Sequence, residues 1–583
     1  MGIFRKLGWF FKQEKKSYFI GVLFLILVAI VQLVPPRLIG FLADEIGGNR
    51  LTVIILVQTL VAIFCVAILQ YVFRYIWRVH IWGSAARLEK VLRSNLFKHF
   101  TDMDQKFFQT YRTGDLMAHA TNDLSAIQQV AGVGILTLVD SLVTGGVTII
   151  AMAVVIDWRL TLMALIPFPF LAYASKKLGD RLHDAFRDSQ ESFSKMNDKA
   201  QESISGMKVI KTFGQEKQDL NDFKTKTDYV VKMNRKVFFL DSLFDPVITI
   251  IIGISYILTI IVGGRFVMNQ SISIGQLISF INYLNMLIWP MLALGYLFNI
   301  LERGSASYDR VNELLMEKST IVEDPFAIQE PAKGDIHFHV TDFHYPEDEK
   351  AALKQIDFEI KEGATLGIVG KTGAGKTSIL KLMLREHDSY QGNIIFGQYP
   401  VMDYSLDALK KSIGYVPQDQ FLFSTSIENN IRFSEPDLSH KEVVKFAEMT
   451  AIHEDILGFP EGYETEVGER GVSLSGGQKQ RISIARALAT SPELLILDDA
   501  LSAVDAKTEE AILKALKNER ANKTTIIAAH RLSSVMHAEE IIVVDNGEII
   551  ERGTHDTLLA LGGWYHDMYR RQQLESKLDG GEA

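Results

Sequence analysis

Apolar residues along this chain fall into two regimes. Before about residue 300 they come in long unbroken runs, and beyond it the chain reads as an ordinary mixed soluble domain. The early runs, at about 18–40, 51–73, 133–156, 160–174, 247–267 and 274–300, predict six membrane spans. Val34-Pro35-Pro36 interrupts the first, so buried neighbours must satisfy the carbonyls that the prolines free. The connections between the second and third spans and between the fourth and fifth are long and polar. Their segments 74–98 and 176–236 are rich in Lys and Arg and read as helical continuations, which places them in the cytoplasm. A helical hairpin with arms of ~30 residues would reach roughly 45 Å beyond the bilayer. Arg5, Lys6, Lys12, Lys15 and Lys16 place the N-terminus on the same side. With no small-residue cleavage site behind it, the first run reads as an anchor and not as a secretory signal.

The pattern divides the chain into a membrane domain over 1–316, a charged, proline-containing linker over 317–334, an α/β domain over 335–572 and a polar tail over 573–583. Two domains agree with a length of 583 residues, which exceeds what one core organises. A net charge of −9 leaves no positive excess to neutralise phosphates, which argues against nucleic-acid binding. The single cysteine, Cys65, excludes an intramolecular disulfide and a thiolate zinc cluster. Asp140 lies within a predicted span, where a carboxylate is costly; it is either a structural or cavity-wall group or a direct contact for a cationic substrate. Asn282, Asn285 and Trp289 follow at helical spacing on the sixth span, either as a cavity face or as interhelical hydrogen-bonding groups.

Three motifs carry chemistry. A short apolar strand at 365–369 leads into Gly370-Lys371-Thr372-Gly373-Ala374-Gly375-Lys376-Thr377-Ser378, a phosphate-binding loop that opens a helix. Gly373 and Gly375 let the backbone turn its N–H groups toward phosphate oxygens, Lys376 reaches the β and γ phosphates, and Thr377 can ligate Mg²⁺. A second apolar run, Leu494-Leu495-Ile496-Leu497, reads as a strand buried on both faces and ends in Asp498-Asp499. There Asp498 can hold Mg²⁺, and the next residue faces the γ-phosphate. Between them, Leu474-Ser475-Gly476-Gly477-Gln478 opens another helix, whose amides and Ser475 hydroxyl form a second phosphate site. If both helices pack on one sheet, that site cannot reach the chain's own phosphate loop.

Jointly these motifs resemble an ATP-binding cassette half-transporter of the exporter type, over nearly the full length. The resemblance implies a polytopic helical membrane domain with six transmembrane helices, of the type I (type IV) exporter fold, fused to an α/β P-loop cassette. It also implies ATP and Mg²⁺ as ligands, a plasma-membrane location with a cytoplasmic cassette, and hydrophobic or amphipathic substrates. By position, Tyr345 resembles the aromatic stacked on adenine, Gln418 the glutamine that senses Mg²⁺ and the membrane domain, and His530 the histidine on the γ-phosphate. Ser502-Ala503-Val504-Asp505 resembles the loop that crosses to a partner, and 465–471, with Glu469, the segment that senses coupling helices. Segments 113–116 with 121–123, and 206–216, resemble the exporter loops that contain those helices.

One position departs from the family. Where its catalytic base is glutamate, this chain has Asp499, one methylene shorter. The reach falls by roughly 1.5 Å, and a misplacement of about 1 Å can cost about 10²-fold in rate, or ~2.7 kcal/mol. The own site is expected to hydrolyse poorly, while Ser475 and Gly477 complete the site of a second subunit, as in bacterial heterodimeric multidrug exporters. A homodimer using Asp499 as a slower base, a lipid flippase, and an ATP-gated channel or regulatory subunit are the alternatives.

Overall fold

The computed structural model describes residues 2–346, 348–468 and 474–579. They form two compact units: Met1–Asp102 with Tyr111–Glu317, and Met103–Thr110 with Lys318–Ala583.

The first unit is helical. Its opening span is split into Lys15–Val31 and Val34–Gly47, with the prolines at the start of the second piece, where a missing N–H costs least. Carbonyls at the break are met from a neighbouring helix: the Tyr283 hydroxyl donates to Leu33 O at 2.8 Å and the Ser279 hydroxyl to Pro36 O at 2.9 Å. Val53–Asp102 is one helix of 50 residues, so the second span continues without interruption into its polar extension. Phe168–Ser205 and Glu216–Ser242 are the arms of the second hairpin, joined through the short helix Met207–Thr212. Lys199 Nζ to Asp219 Oδ1 at 2.6 Å and Ser189 Oγ to Asn234 Oδ1 at 2.6 Å tie the arms together.

Among the described residues, five helices are long and apolar enough to cross a membrane: Lys15–Gly47, Val53–Asp102, Thr113–Ile156, Glu216–Met268 and Ile274–Met316. The fourth predicted span, at 160–174, is divided at Pro167 between Trp158–Leu165 and Phe168–Ser205. The longer piece becomes charged from Lys176 onward, so neither piece alone holds a membrane-length apolar stretch. Within Thr113–Ile156, three wide π-type turns at His119–Asp123, Val130–Gly134 and Met152–Ile156 interrupt regular α-helix. Asp123, in the first of them, accepts from Ser307 Oγ at 2.8 Å and from Arg310 Nε at 3.1 Å, fastening this helix to Ile288–Met316.

The second unit is α/β. An antiparallel sheet of four strands, in the order β2-β1-β4-β5, comprises β1 (Ile336–Phe343), β2 (Leu353–Ile360), β4 (Tyr390–Phe396) and β5 (Tyr399–Pro400). The larger sheet has the order β10-β9-β3-β8-β7-β6. Its strands are β3 (Thr365–Gly370), β6 (Ile413–Val416), β7 (Leu494–Asp498), β8 (Thr524–Ala528), β9 (Glu540–Asp545) and β10 (Glu548–Gly553). All but β10 run parallel, and every residue of β7 and β8 is buried, which explains the unbroken apolar run Leu494–Leu497 of β7. The carboxyl ends of β3, β8, β7 and β6 therefore lie along one edge, the place where parallel sheets bind ligands.

Two expectations shift. In the first long loop, the residues that associate with the α/β unit are Met103–Thr110, while Thr113–Ala118 is a helix of the membrane unit. Asp104 explains the association, accepting from Thr320 Oγ1 at 2.6 Å, Ser319 Oγ at 3.2 Å and Phe107 N at 3.1 Å. At the other end, the helix Trp564–Asp579 runs through the boundary expected at residue 572.

Candidate nucleotide site

The phosphate loop leaves β3 and closes at Gly375, which caps the helix Lys376–Met383 with φ +111°. A Cβ there would lie 2.9 Å from Leu353 Cδ2 and 3.1 Å from Ala352 O, so glycine is required both by conformation and by space. Within the loop, Ala374 N donates to Lys371 O at 3.2 Å and Ala374 O accepts from Gly547 N at 2.9 Å, fixing the turn that carries Thr372 and Gly373. Lys376 is buried, and its ammonium donates to Gly370 O at 3.0 Å and Lys371 O at 3.1 Å. Burial pulls its pKa down, against the opposing charges of Asp498 and Asp499.

Because Asp498 pairs in register with Ala528, β7 and β8 deliver Asp498 and His530 to the same edge. His530 Nε2 lies 3.5 Å from Lys376 Nζ, and Thr377 Oγ1 donates to Asp498 Oδ1 at 3.4 Å. Lys376, Thr377, Asp498 and His530 are thereby brought together. Asp498 is buried, and among the described residues its Oδ2 has no hydrogen-bond partner. Burial pushes its pKa up, and the neighbouring Asp499 adds to the shift while Thr377 and Lys376 oppose it. A buried carboxylate oxygen left over beside a hydroxyl is a hard-oxygen donor set that fits Mg²⁺. Gln418 stands exposed two residues beyond β6, the strand next to β7. Asp499 occupies the left-handed region with φ +50°, which Asp tolerates better than most residues, and its N–H donates to Ala528 O at 2.8 Å.

Tyr345 is not left open as an isolated platform. Its hydroxyl is 2.9 Å from Ser378 Oγ, and its ring meets Phe343 and His387 edge-on at 5.0 and 5.3 Å. The two predicted ATP-site residues Tyr345 and Ser378 thus touch, which seats the aromatic against the phosphate-loop helix.

Ser475 caps the second helix, Gly476–Ala489, in a capping box: its Oγ accepts from Gln478 N at 3.2 Å, and Gln478 Oε1 accepts from Ser475 N at 3.0 Å. Leu474 is buried beneath this turn. At Gly477 a Cβ would lie 2.8 Å from Ala503 O, so glycine there lets the 502–505 loop lie on the helix start. Asp505 caps the following helix, Ala506–Glu519, by accepting from Thr508 N at 3.0 Å, and the hydrogen bonds from the Thr508 side chain and N–H hold its carboxyl below the usual range. The hydrogen bonds of Ser475 and those of Lys376 share no residue. Glu469 lies outside the described residues.

Gln480 was not singled out from the sequence. It is buried, accepts from Ala503 N at 2.9 Å and donates to Ser502 Oγ at 3.1 Å and Asp499 O at 3.4 Å, so one side chain clamps the loop that follows β7. Its signal was a second glutamine two residues after Gln478 on a helix otherwise buried there by apolar groups.

In the membrane unit, Asp140 accepts from Thr144 Oγ1 at 2.8 Å, one turn away. Asn282 donates to Ile278 O at 2.9 Å within its own helix, and Asn285 pairs with the Tyr256 hydroxyl of a neighbouring one. Asn285 and Trp289, one turn apart on either side of Leu287, are both exposed, and Leu287 keeps right-handed helical angles between the two helical pieces. Among the described residues, Asp335, His337 and Glu359 cluster closely enough to hold a metal ion. The Lys361 ammonium already bridges Asp335 and Glu359, so that cluster has its cation.

Comparison with known proteins gives the family of both domains. The ABC transporter transmembrane region family matches residues 18–291 and the ABC transporter family matches 353–502. The "Probable multidrug resistance ABC transporter ATP-binding/permease protein YheI" of Bacillus subtilis (strain 168) is 43% identical over 581 residues, covering 99% of each chain. The "Multidrug resistance-like ATP-binding protein MdlA" of Escherichia coli (strain K12) is 42% identical over 579 residues, covering 99% of this chain and 98% of that protein. A bacterial Atm1-family ABC exporter with ATP bound shares the fold, with a TM-score of 0.76 at 23% identity over 96% of this chain and 98% of that one. With both domains matched and relatives above 40% identity along its whole length, the chain belongs to the ABC transporter family, as an exporter whose fused membrane and ATP-binding domains couple ATP hydrolysis to transport.

Proposed function

We propose that the chain is one subunit of a dimeric multidrug-type exporter, with its cassette in the cytoplasm and its own ATP site catalytically weak. The names of its relatives YheI and MdlA support drug-like substrates, hydrophobic or amphipathic molecules taken from the bilayer. Length and loop sequences also resemble the BmrC subunit of the BmrC and BmrD pair, which favours a heterodimer. One observation carries the reading: a shortened acid, Asp499, follows Asp498 in the same chain that keeps Ser475 and Gly477 intact at a helix start.

In this reading, ATP lies along the edge formed by Lys376, Thr377, Asp498 and His530, with Tyr345 against the base. Lys376 leaves its loop carbonyls for the β and γ phosphates, Thr377 and Asp498 hold Mg²⁺, and His530 contacts the γ-phosphate. Mg²⁺ held by Thr377 and Asp498 would offset the charge of the phosphate oxygens. Water attacks the γ-phosphorus in line, the bond from that phosphorus to the β–γ bridging oxygen breaks with its electron pair leaving on the ADP oxygen, and the attacking water's proton passes to the carboxylate at position 499. Asp499 sits short of that water by roughly one methylene, about 1.5 Å, so the step is slow here. Ser475 and the amides of the Gly476 helix face the nucleotide of the second subunit, where turnover proceeds. Closure of the cassettes on ATP turns the spans outward, because nucleotide binds the closed state more tightly.

The test is ATPase activity of the chain alone, with a second half-transporter whose base is glutamate, and with Asp499→Glu in each case. Low activity alone, activity with the second subunit and a gain from Asp499→Glu support the reading. Full turnover by the lone wild-type chain contradicts the heterodimer and leaves a homodimer. Uphill dye movement into inverted vesicles supplied with external ATP separates a pump from a gated channel, which only dissipates a gradient.

A further inference from the structure

The carboxyl-terminal helix Trp564–Asp579 reaches the nucleotide edge through one side chain. Its start is fixed by Glu551, whose carboxylate accepts from the N–H groups of Trp564 and Tyr565. Tyr565 is fully buried, with its hydroxyl 2.8 Å from His555 Nδ1, and Met568 and Tyr569 pack on the same core. Residues 565, 568 and 569 are the first members of an i, i+3, i+4, i+7 stripe, and the i+7 position is Gln572. An apolar residue would extend the stripe; a glutamine stands there instead.

Both ends of that glutamine are used on one loop. Gln572 Nε2 donates to His530 O at 2.9 Å, and Gln572 Oε1 accepts from Leu532 N at 2.9 Å. A carboxamide offers one donor and one acceptor as a peptide does, so Gln572 pairs with the backbone on either side of Arg531 as a strand would. The ring of His530 is exposed, and its hydrogen-bonding neighbour among the described residues is Lys376 Nζ at 3.5 Å. The direction of the ring is therefore set by its backbone. Arg531, inside the clamp, donates to Val504 O at 3.2 Å, next to Asp505.

We propose that Gln572 is a positioning residue for ATP recognition: by pinning the backbone on both sides of Arg531 it aims His530 at the phosphate loop and keeps Arg531 on the 502–505 loop. The proposal rests on the reading of His530 as the γ-phosphate contact. Since His530 meets only the terminal phosphate, loosening the clamp weakens ATP and spares ADP.

The experiment is photolabelling of this chain, in the full-length dimer, with 8-azido-ATP, competed by ATP or by ADP. Gln572→Ala and Gln572→Glu each weaken competition by ATP about 10-fold, the scale of a lost pair of hydrogen bonds, and leave ADP unchanged. Glu keeps the shape but sets a carboxylate against the His530 carbonyl. His530→Ala gives the same selective loss, and the double variant adds nothing to it, because both act through one contact. A wild-type ATP-to-ADP ratio in both Gln572 variants, with His530→Ala altered, overturns the clamp. Equal weakening of ATP and ADP, with a lower unfolding midpoint, makes Gln572 structural and also overturns it. An unaltered ratio in His530→Ala overturns the reading of His530 itself, and the proposal with it.

Discussion

Adjacent glycines at the start of the Gly476–Ala489 helix face different surroundings, and this sets up a sharp test of the packing between that helix and the 502–505 loop. An alanine Cβ at 477 would lie 2.8 Å from the Ala503 carbonyl oxygen and 3.6 Å from its carbon, and the obstacle is backbone. At 476 the nearest atom is the Ala503 Cβ at 3.6 Å, an ordinary contact. Gly477→Ala must push the loop or the helix start aside, at a cost of about 1–3 kcal/mol for an overpacked site. Gly476→Ala meets no such obstacle and gains up to ~1 kcal/mol from the lower chain entropy of alanine in a helix. Displacement at 477 also strains the Gln480 bonds to Ala503 and Ser502. Unfolding midpoints of the nucleotide-free protein, scanned at one fixed rate, should fall for Gly477→Ala and hold or rise for Gly476→Ala. Equal midpoints for the two variants would refute the close approach.

Asp498→Asn removes a buried carboxylate whose folded pKa is raised mainly by burial. A raised acid contributes stability below its unfolded pKa and loses it as pH rises through the folded value. The variant should therefore gain on wild type, in unfolding midpoint without nucleotide, as pH climbs toward neutral, while losing the stabilisation that wild type draws from Mg²⁺-ATP. At saturation near 100 Kd that stabilisation is worth about 2.7 kcal/mol. Asp104 behaves oppositely: burial raises its pKa, but bonds from Thr320, Phe107 and Ser319 outweigh this and leave it lowered. Its contribution is present above the normal carboxylate pKa and lost as pH falls through the folded value. Asp104→Ala should lower the protection of the Phe107 and Thr320 amides, relative to their intrinsic exchange rates, at neutral pH, and acid should lower the same protection in wild type.

The phosphate loop and the Asp498 strand were legible in the sequence because their chemistry is local: glycines, a lysine and an apolar run within a few residues set the geometry. The membrane spans were legible for the same reason, except at 160–174, where Pro167 splits a short apolar stretch that continues into a charged helix. Contacts made across the fold were not legible. Gln480 and Gln572 each bind backbone of a loop distant in sequence, which a polar residue on a buried helix face hints at but does not locate. The association of Met103–Thr110 with the α/β unit depends on Asp104 meeting Ser319 and Thr320, more than 200 positions away.

ATP turnover of the dimer carrying Ser475→Arg or Lys376→Ala in this chain alone tests most directly whether nucleotide is shared between subunits. Ser475→Arg should cut turnover by at least about 10²-fold, the scale of losing a transition-state donor, while this chain still photolabels with ATP. Lys376→Ala should abolish that labelling and retain more of the turnover. If Ser475→Arg instead blocks ATP labelling of its own chain, or leaves turnover intact, one molecule's helix start and phosphate loop serve the same nucleotide and the account is contradicted.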